Sequence, residues 1–177
     1  YRFHKKSRSQ AVIHFNIGRC CQMYNYEALM SFFSNLQYKF EKKMPEKQKG
    51  LYVDNIVYLN PNQSSAELKS TIAEEIAHHY TSVGDISNYK NPESRKQERR
   101  ARLVAAEMTV HPSLLIKAYQ KGCREYWEVA DELGITVEAL KKAIDLFKQK
   151  YGEGFCFLNH KIIFGSGDSI KVVKIKQ

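Results

Sequence analysis

The hydrophobic positions of the chain follow two periods, which together predict an α+β fold. Apolar residues that recur every three to four positions mark one face of a helix. This spacing predicts helices over residues 26–42, 64–82, 94–110, 112–120, 125–133 and 137–151. Residues 50–60 and 154–176 instead carry β-branched and aromatic residues on either side of turn residues, which is typical of hairpins.

These elements group into three parts that follow a leader. Residues 23–111 are expected to form a core with one helix, a short β-hairpin or sheet and two longer helices. Residues 112–152 predict a further helical part, and residues 153–177 a small C-terminal β-hairpin. Residues 1–22 fit none of these patterns and are interpreted as a leader outside the domain, derived from cloning or from upstream read-through. The expected fold is therefore α+β and mainly helical.

The composition agrees with a folded cytoplasmic protein. Of the 177 residues, 43% are hydrophobic and 27% are charged, so a core can form. The net charge of +9 includes five basic residues and no acid within residues 1–22. The remaining charge is typical of a solvated surface, so nucleic acid binding is not required. The four cysteines form no CxxC pair, which indicates a reducing compartment, and no apolar run approaches the ~18 residues of a membrane span.

The segment TIAEEIAHHY at residues 71–80 carries the candidate chemistry. Glu74 and His78 are four residues apart on a predicted helix, so both lie on one face and can grip one metal ion. Glu75 is rotated from Glu74 by about 100°, so it can reach a metal-bound water without binding the metal. This is the arrangement of the HExxH zinc peptidase helix, with Glu74 in place of the first His. Glu75 is therefore the candidate catalytic base.

A catalytic zinc needs three protein ligands and one open position, so a third ligand is expected from another element. Glu98 lies 20 residues beyond His78, near the start of the next predicted helix. It shares its face with apolar residues, at Ala101, Ala105 and Met108. This stripe predicts that Glu98 points inward, where a carboxylate needs a partner. The predicted metal ligands are thus Glu74, His78 and Glu98.

Three further side chains are candidates for supporting roles. His79 is not the ligand in this frame, because pairing it with Glu75 would leave Ile76 in the position of the base. His79, Tyr80 and His111 are retained as residues around the metal ligands or as donors to an oxyanion. For His111, which precedes Pro112, the alternative is a helix boundary.

Several stretches together resemble the ImmA/IrrE family of metallo-endopeptidases, in the form found on phages and mobile elements. They are GLYVDNIVYLN, IAEEIAHHYTSVGD, RKQERRARLVAAE and KAYQKGCREYWEVADELGIT, and their order and spacing agree with the family. The resemblance covers most of residues 26–152 and leaves out residues 1–22. It implies a zinc peptidase fold in which a short sheet packs on the metal-bearing helix and a helical part follows.

The resemblance also implies a site and a function. The Glu of the family pattern E-x-x-A…A-A-E is a metal ligand, and it matches Glu98 with the residues Ala101, Ala105, Ala106 and Glu107. One zinc ion is the implied cofactor. The implied substrate is a protein, a helix-turn-helix repressor that keeps a phage, prophage or mobile element silent. The chain departs from the family at Glu74, where the usual residue is His; a carboxylate binds zinc at ~2.0–2.2 Å and should make it a weaker Lewis acid.

Two other interpretations stay open. The protein can bind a repressor and block it without cutting it, which the Glu74 replacement favours. Residues 126–146 also resemble a helix-turn-helix, although residues 137–140 offer no Arg, Asn or Gln to read base edges. The alternative for that segment is an αα-hairpin packed on the core. For a peptidase, the strand at residues 56–59 is expected to pair with an extended substrate.

Overall fold

The structure, a computed structural model, describes residues 25–81, 92–165 and 169–175. The helices are α1 (Tyr26–Phe32), α2 (Ser65–Thr81), α3 (Pro92–Thr109), α4 (Pro112–Gln120), α5 (Tyr126–Leu133) and α6 (Val137–Tyr151). The strands are β1 (Gln37–Phe40), β2 (Gly50–Val53), β3 (Ile56–Leu59), β4 (Gly154–Phe157), β5 (His160–Phe164) and β6 (Ile170–Lys174). The predicted α+β class is confirmed, and the leader predicted at residues 1–22 lies outside the described residues. Within the described ranges, no helix is both long and apolar enough to cross a membrane.

The first three strands form a mixed sheet with β3 in the middle. β1 runs parallel to β3, and β2 runs antiparallel to it with Tyr52 opposite Val57. The turn between β2 and β3 holds Asp54 and Asn55 at φ 48° and 69°, as a two-residue hairpin turn requires. The hairpin predicted at residues 50–60 is confirmed. The expectation that β3 pairs with a substrate is wrong, because both of its edges are already paired. Among the described strands, β1 and β2 are the outer strands of this sheet.

The helix predicted over residues 26–42 is too long. α1 ends at Phe32, and residues 37–40 form β1 instead. Phe33 and Leu36 are buried in the connection, and the Gln37 N–H donates to the Asn55 carbonyl. The three- and four-residue spacing continues to Phe40, but that ring is 48% exposed and marks no buried helix face. Pairing with β3 satisfies the main chain of residues 37–40 and decides their conformation.

α2 begins where the sequence predicts, whereas α3 begins two residues earlier than predicted. Ser64 Oγ accepts from the Glu67 N–H at 3.2 Å, and the Glu67 carboxylate accepts from the Ser64 N–H at 2.9 Å, which is a capping box. α3 starts at Pro92, a residue suited to the first turn because no partner is needed there for its missing N–H. Ser94, the first residue of the predicted helix, therefore lies inside the observed helix and is 3% exposed.

The C-terminal half follows the predicted boundaries closely, because its helix ends are encoded locally. Glu125 and Glu128 form a capping box at the start of α5, and Gly134 ends that helix at φ 62°. Thr136 Oγ1 accepts from the Ala139 N–H at 3.1 Å and caps α6. β4, β5 and β6 form an antiparallel sheet in that order, so the predicted terminal hairpin is present and gains a third strand.

Two apolar clusters form the core, and they meet along α3. One joins α1, the mixed sheet, α2 and α3, and it includes Ile72 and Ile76. The other joins α4, α5, α6 and the C-terminal sheet around Phe147. Consecutive residues of α3 divide between them, since Ala105 belongs to the first cluster and Ala106 to the second. α3 therefore couples the two halves of the chain.

A buried lysine adds a polar link between the two halves. Lys69 of α2 is 2% exposed, and its Nζ donates to the Leu133 carbonyl of α5 at 2.5 Å. An ammonium at the C-terminal end of a helix also meets the negative end of the helix dipole. This contact holds α5, and with it the start of α6, against α2.

Candidate active site

Two neighbouring helices, α2 and α3, bring the predicted site residues together. α2 buries Ile72, Ile76 and the alanines beside them, which leaves Glu74 and His78 at the margin of its packed face. α3 buries its own apolar stripe, so the Glu98 side chain is turned inward and is only 15% exposed. The two helices thus present carboxylates and an imidazole to a shared space.

His78 and Glu98 form the centre of this site. His78 Nε2 lies 3.6 Å from Glu98 Oε2, and Arg102 Nε donates to the other oxygen, Oε1, at 2.7 Å. Arg102 follows Glu98 by one helical turn, so it orients the carboxylate from its own helix. Burial lowers the pKa of His78, although the Glu98 carboxylate acts in the opposite direction. The imidazole is therefore neutral near pH 7, the form that binds metals.

Glu75 lies where β2 passes over α2. Gly50, at the start of β2, approaches so closely that a Cβ there would lie 2.7 Å from Thr71 Cγ2 and 2.8 Å from Glu75 Oε1. Burial and the Glu74 carboxylate raise the pKa of Glu75 to about 7, although the Tyr52 N–H, which donates to the Glu75 carboxylate, opposes this rise. A carboxylate with that pKa can take and return a proton near neutral pH.

Glu74 faces the cleft and keeps contact with solvent. The surrounding helices still remove enough water to raise the pKa of Glu74, and the Glu98 carboxylate acts in the same direction. The positive charges of Arg102 and Lys142 oppose that rise. The Glu74 carboxylate is thus influenced by the negative charge of Glu98 and by the positive charges of Arg102 and Lys142.

His79 contacts the sheet, and Tyr80 contacts the α1 side of the core. His79 Nδ1 lies 2.6 Å from the Tyr52 hydroxyl, and the two rings pack edge to face. Tyr80 packs on the Phe33 ring, and its hydroxyl accepts from Asn35 Nδ2 at 3.4 Å. His79 is therefore linked through Tyr52 to the strand that contacts Glu75, whereas Tyr80 packs with the α1 side of the core.

His111 lies at the junction of α3 and α4. Its Nδ1 accepts from the Ser113 N–H at 3.3 Å, and its ring packs edge-on against Phe157. Burial lowers the pKa of His111. These are the contacts of a helix cap, in agreement with the helix-boundary alternative for a His before Pro112.

α2, α3 and α6 line an open cleft of about 710 Å³. Glu74 lies on the α2 wall, Glu98 and Arg102 on the α3 floor, and Lys142 on the α6 wall. This volume is in the range of small-molecule and cofactor sites. α6 was also the candidate DNA-recognition helix, and the structure places it as a wall of the cleft.

Two of the donor atoms, His78 Nε2 and Glu98 Oε2, are spaced as two ligands of one zinc ion. Two ligands bound to tetrahedral zinc at ~2.1 Å lie ~3.4 Å apart, close to the 3.6 Å between His78 Nε2 and Glu98 Oε2. Arg102 uses only one oxygen of Glu98 and leaves the other near His78. In the part of the chain that the structure describes, no three His, Cys, Asp or Glu side chains are already grouped as a metal site. Glu74, one turn from His78 on α2, is the neighbouring donor that would complete the set.

Comparison with known families decides the affiliation. A model of the Peptidase_M78 family, described as the IrrE N-terminal-like domain, matches residues 35–145. The chain belongs to this peptidase family. The match spans more than half of the M78 chain and includes every cleft residue named above, so the ImmA/IrrE resemblance is confirmed. A comparison with curated proteins found no match.

Sequence reasoning missed four residues that the structure places around the M78 site. Gly50 and Tyr52 belong to the stretch GLYVDN, where a Gly in a strand is a signal of close approach by another group. Arg102 stands four residues after Glu98, the spacing of a helical ion pair. No local signal pointed to Lys142, because the packing of α6 brings it to the cleft.

Proposed function

We propose that the chain is a zinc-dependent endopeptidase of a phage or mobile element that cleaves or inactivates a helix-turn-helix repressor in the cytoplasm. The main observation behind this proposal is that Glu75 lies beside the His78–Glu98 pair. The pKa of Glu75 is about 7, and the pair is spaced as two zinc ligands. Membership of the M78 family supports peptidase chemistry. The ImmA/IrrE resemblance supports a repressor as the substrate.

The residues of the proposed site each have one role in peptide hydrolysis. Glu74, His78 and Glu98 would hold the zinc ion, which when bound acidifies a water and polarises a carbonyl. Glu75 takes a proton from the attacking water and delivers it to the leaving amine. Gly50 leaves room for the Glu75 carboxylate, and the Tyr52 N–H orients it. Arg102 keeps Glu98 directed at His78.

The outer edge of β2, with which no described strand pairs, is the place where an extended substrate would pair. The Tyr52 N–H, which donates to Glu75, belongs to this strand, so a peptide along β2 would pass close to the base. Strand addition, which the sequence predicted at β3, is therefore proposed at β2 instead.

Replacing Glu75 with Gln tests the proposal directly. The substrate is a purified helix-turn-helix repressor of a phage or mobile element, and the products are identified by mass spectrometry. We expect wild-type protein with zinc to yield two fragments and E75Q to be about 10²–10⁴-fold slower, with its zinc content unchanged. E128Q removes a carboxylate from the α5 cap and should cut at the wild-type rate. E75Q that cuts as fast as wild type would remove Glu75 from the role of base.

A non-proteolytic antirepressor is the second candidate, and Glu74 in place of His is the observation that favours it. On this hypothesis, E75Q relieves repression of a reporter promoter as well as wild type does, and the repressor stays intact on an immunoblot. Loss of both cleavage and derepression in E75Q would support the peptidase.

DNA binding is the third candidate, and the cleft argues against it. Glu138, Ala139 and Lys142, at the start of the would-be recognition helix, line the cleft toward α2 and α3. A helix that reads bases needs these positions free for the major groove. A salt-dependent shift with operator DNA would favour this candidate again.

A further inference from the structure

The residues of α3 that form the floor of the cleft change from charged to mainly apolar along the helix. Glu98 and Arg102 occupy the first part of the floor, and Ala105, Ala106 and Thr109 occupy the next two turns. The Thr109 hydroxyl donates to the Ala105 carbonyl at 3.0 Å, so its polar group is used inside the helix. The second part of the floor is therefore apolar.

The facing wall continues this apolar lining. Ala139, Ala143 and Leu146 of α6 line the same cleft. Ala143 is 4% exposed, so it forms surface at the base of the cleft rather than a protruding side chain. Ala139 and Leu146 are half-buried and flank the space above it. Polar residues alternate with them: Glu138 and Lys142 pair with each other at 2.7 Å, and Asp145 and Gln149 also line this wall.

The distance between the two parts of the floor fits a peptide substrate. Ala105 and Ala106 follow Glu98 by about 10–12 Å along α3, at ~1.5 Å per residue. An extended peptide covers that distance in about three residues, at ~3.3 Å each. A side chain two or three residues from a bond held at Glu98 therefore meets the apolar part.

We propose that this part of the cleft is a subsite for one bulky apolar side chain of the substrate, of the Leu, Ile, Met or Phe class. Its lining consists of Ala105, Ala106, Thr109, Ala139, Ala143 and Leu146. Small residues leave the space, and the substrate side chain fills it and removes apolar surface from water. The inference rests on the proposed function, because it takes the cleft to be the place where a substrate lies.

Profiling of cleavage sites on a mixed peptide library tests the subsite. Wild-type protein with zinc should enrich large apolar residues at one position, two or three residues from the cut bond. Ala139→Leu fills the subsite, and we expect kcat/KM for those peptides to fall about tenfold or more relative to peptides with Ala there. Lys141→Leu is the matched control, because Lys141 lies on the α5 side of α6, with its Nζ 6.0 Å from the Tyr126 ring centroid. It should keep the wild-type preference.

Leu146→Ala keeps the test open if Ala139→Leu fails to fold. This change enlarges the subsite, and the preference should move toward Phe and Trp. Cleavage without an apolar preference, or an unchanged preference in both variants, would overturn the subsite.

A binding experiment separates the subsite from peptidase activity. Immobilised E75Q protein selects peptides from the same library, and the retained peptides are sequenced. If wild type cuts nothing but E75Q retains apolar peptides that E75Q/A139L does not, the subsite stands and the peptidase proposal fails. If nothing is cut and nothing is retained, both proposals fail.

Discussion

The two regions that meet along α3 shift the pKa values of their carboxyl groups in opposite directions. Around α2, three carboxylates lie near one another, and the pKa of Glu75 is raised to about 7 by burial and by Glu74. Around α5, acidic groups are satisfied locally, and two backbone N–H groups lower the pKa of Glu128 at the cap. The clustered carboxylates around α2 lower folding stability when no cation is present, whereas the capping carboxylate of Glu128 raises it. Carboxylates with raised pKa values are typical of a region that performs chemistry, whereas locally satisfied ones are typical of a supporting region.

The largest expected effect comes from the supporting region. Phe147 is 1% exposed and contacts the rings of Phe155 and Phe164 at centroid distances of 6.5 Å. Phe147→Ala should lower the free energy of unfolding by about 3–5 kcal/mol. Because α3 belongs to both clusters, urea unfolding should remain one transition, with tryptophan fluorescence and circular dichroism coinciding. Two separate transitions would show that the regions fold independently.

Glu75→Gln should have the opposite effect on the stability of metal-free protein. With its pKa raised from 4.5 to about 7, folded Glu75 holds its proton more tightly than the unfolded chain does. Folding stability is therefore lost as pH rises through that window. In the presence of a chelator, E75Q should be more stable than wild type by about 1–3 kcal/mol at pH 8 and equal to it near pH 4.

Glu128→Gln should change folding stability in the direction opposite to Glu75→Gln, which sharpens the contrast between the two regions. The folded pKa of Glu128 is lowered by the N–H groups of Arg124 and Glu125, so its contribution is present above the unfolded pKa and disappears in acid. E128Q should destabilise at pH 8 and converge with wild type at low pH. The same sign for E75Q and E128Q in chemical denaturation would contradict the comparison of the two regions.

Arg102→Gln tests whether Arg102 positions Glu98, one of the proposed zinc ligands. Loss of the 2.7 Å contact frees the Glu98 carboxylate to rotate away from His78. Loss of such a partner costs metal affinity by about 10–100-fold, which competition with a chromophoric zinc chelator measures. Arg100→Gln, an exposed change on the same helix, is the control and should bind zinc as wild type does. Equal affinity of R102Q and wild type would remove Arg102 from this role.

The smallest expected effect lies at the α6 cap. Thr136 Oγ1 accepts from the Ala139 N–H at 3.1 Å, and Thr136→Ala removes that bond. The expected loss is about 1 kcal/mol, or a Tm lower by roughly 2–4 °C for a chain of this size. Thermal unfolding measures it, with Thr136→Ser as the variant that keeps the cap. A loss much larger than this would mean that the cap supports the cleft wall as well as the helix end.

The fold was predictable where its signals are local. The capping residues at Ser64, Glu125 and Thr136 and the turn at Asp54–Asn55 act within a few positions, so α2, α5, α6 and the hairpin were found in place. The error at residues 37–40 arose because the spacing of Leu36 and Phe40 suits a helix, while the strand depends on a partner twenty residues away. α3 began early because Pro92 can open a helix as well as sit in a loop.

The sequence by itself determined which groups share the α2 face, because the spacing of Glu74 and His78 fixes that face in any helix. It also predicted that Glu98 points inward, since the alanines that follow it must be buried. Only the tertiary structure decided the 3.6 Å approach of His78 to Glu98, the close passage of Gly50 over Glu75 and the place of α6 in the cleft. These depend on how distant segments pack and on how much water they exclude, and neither quantity is encoded at any single position.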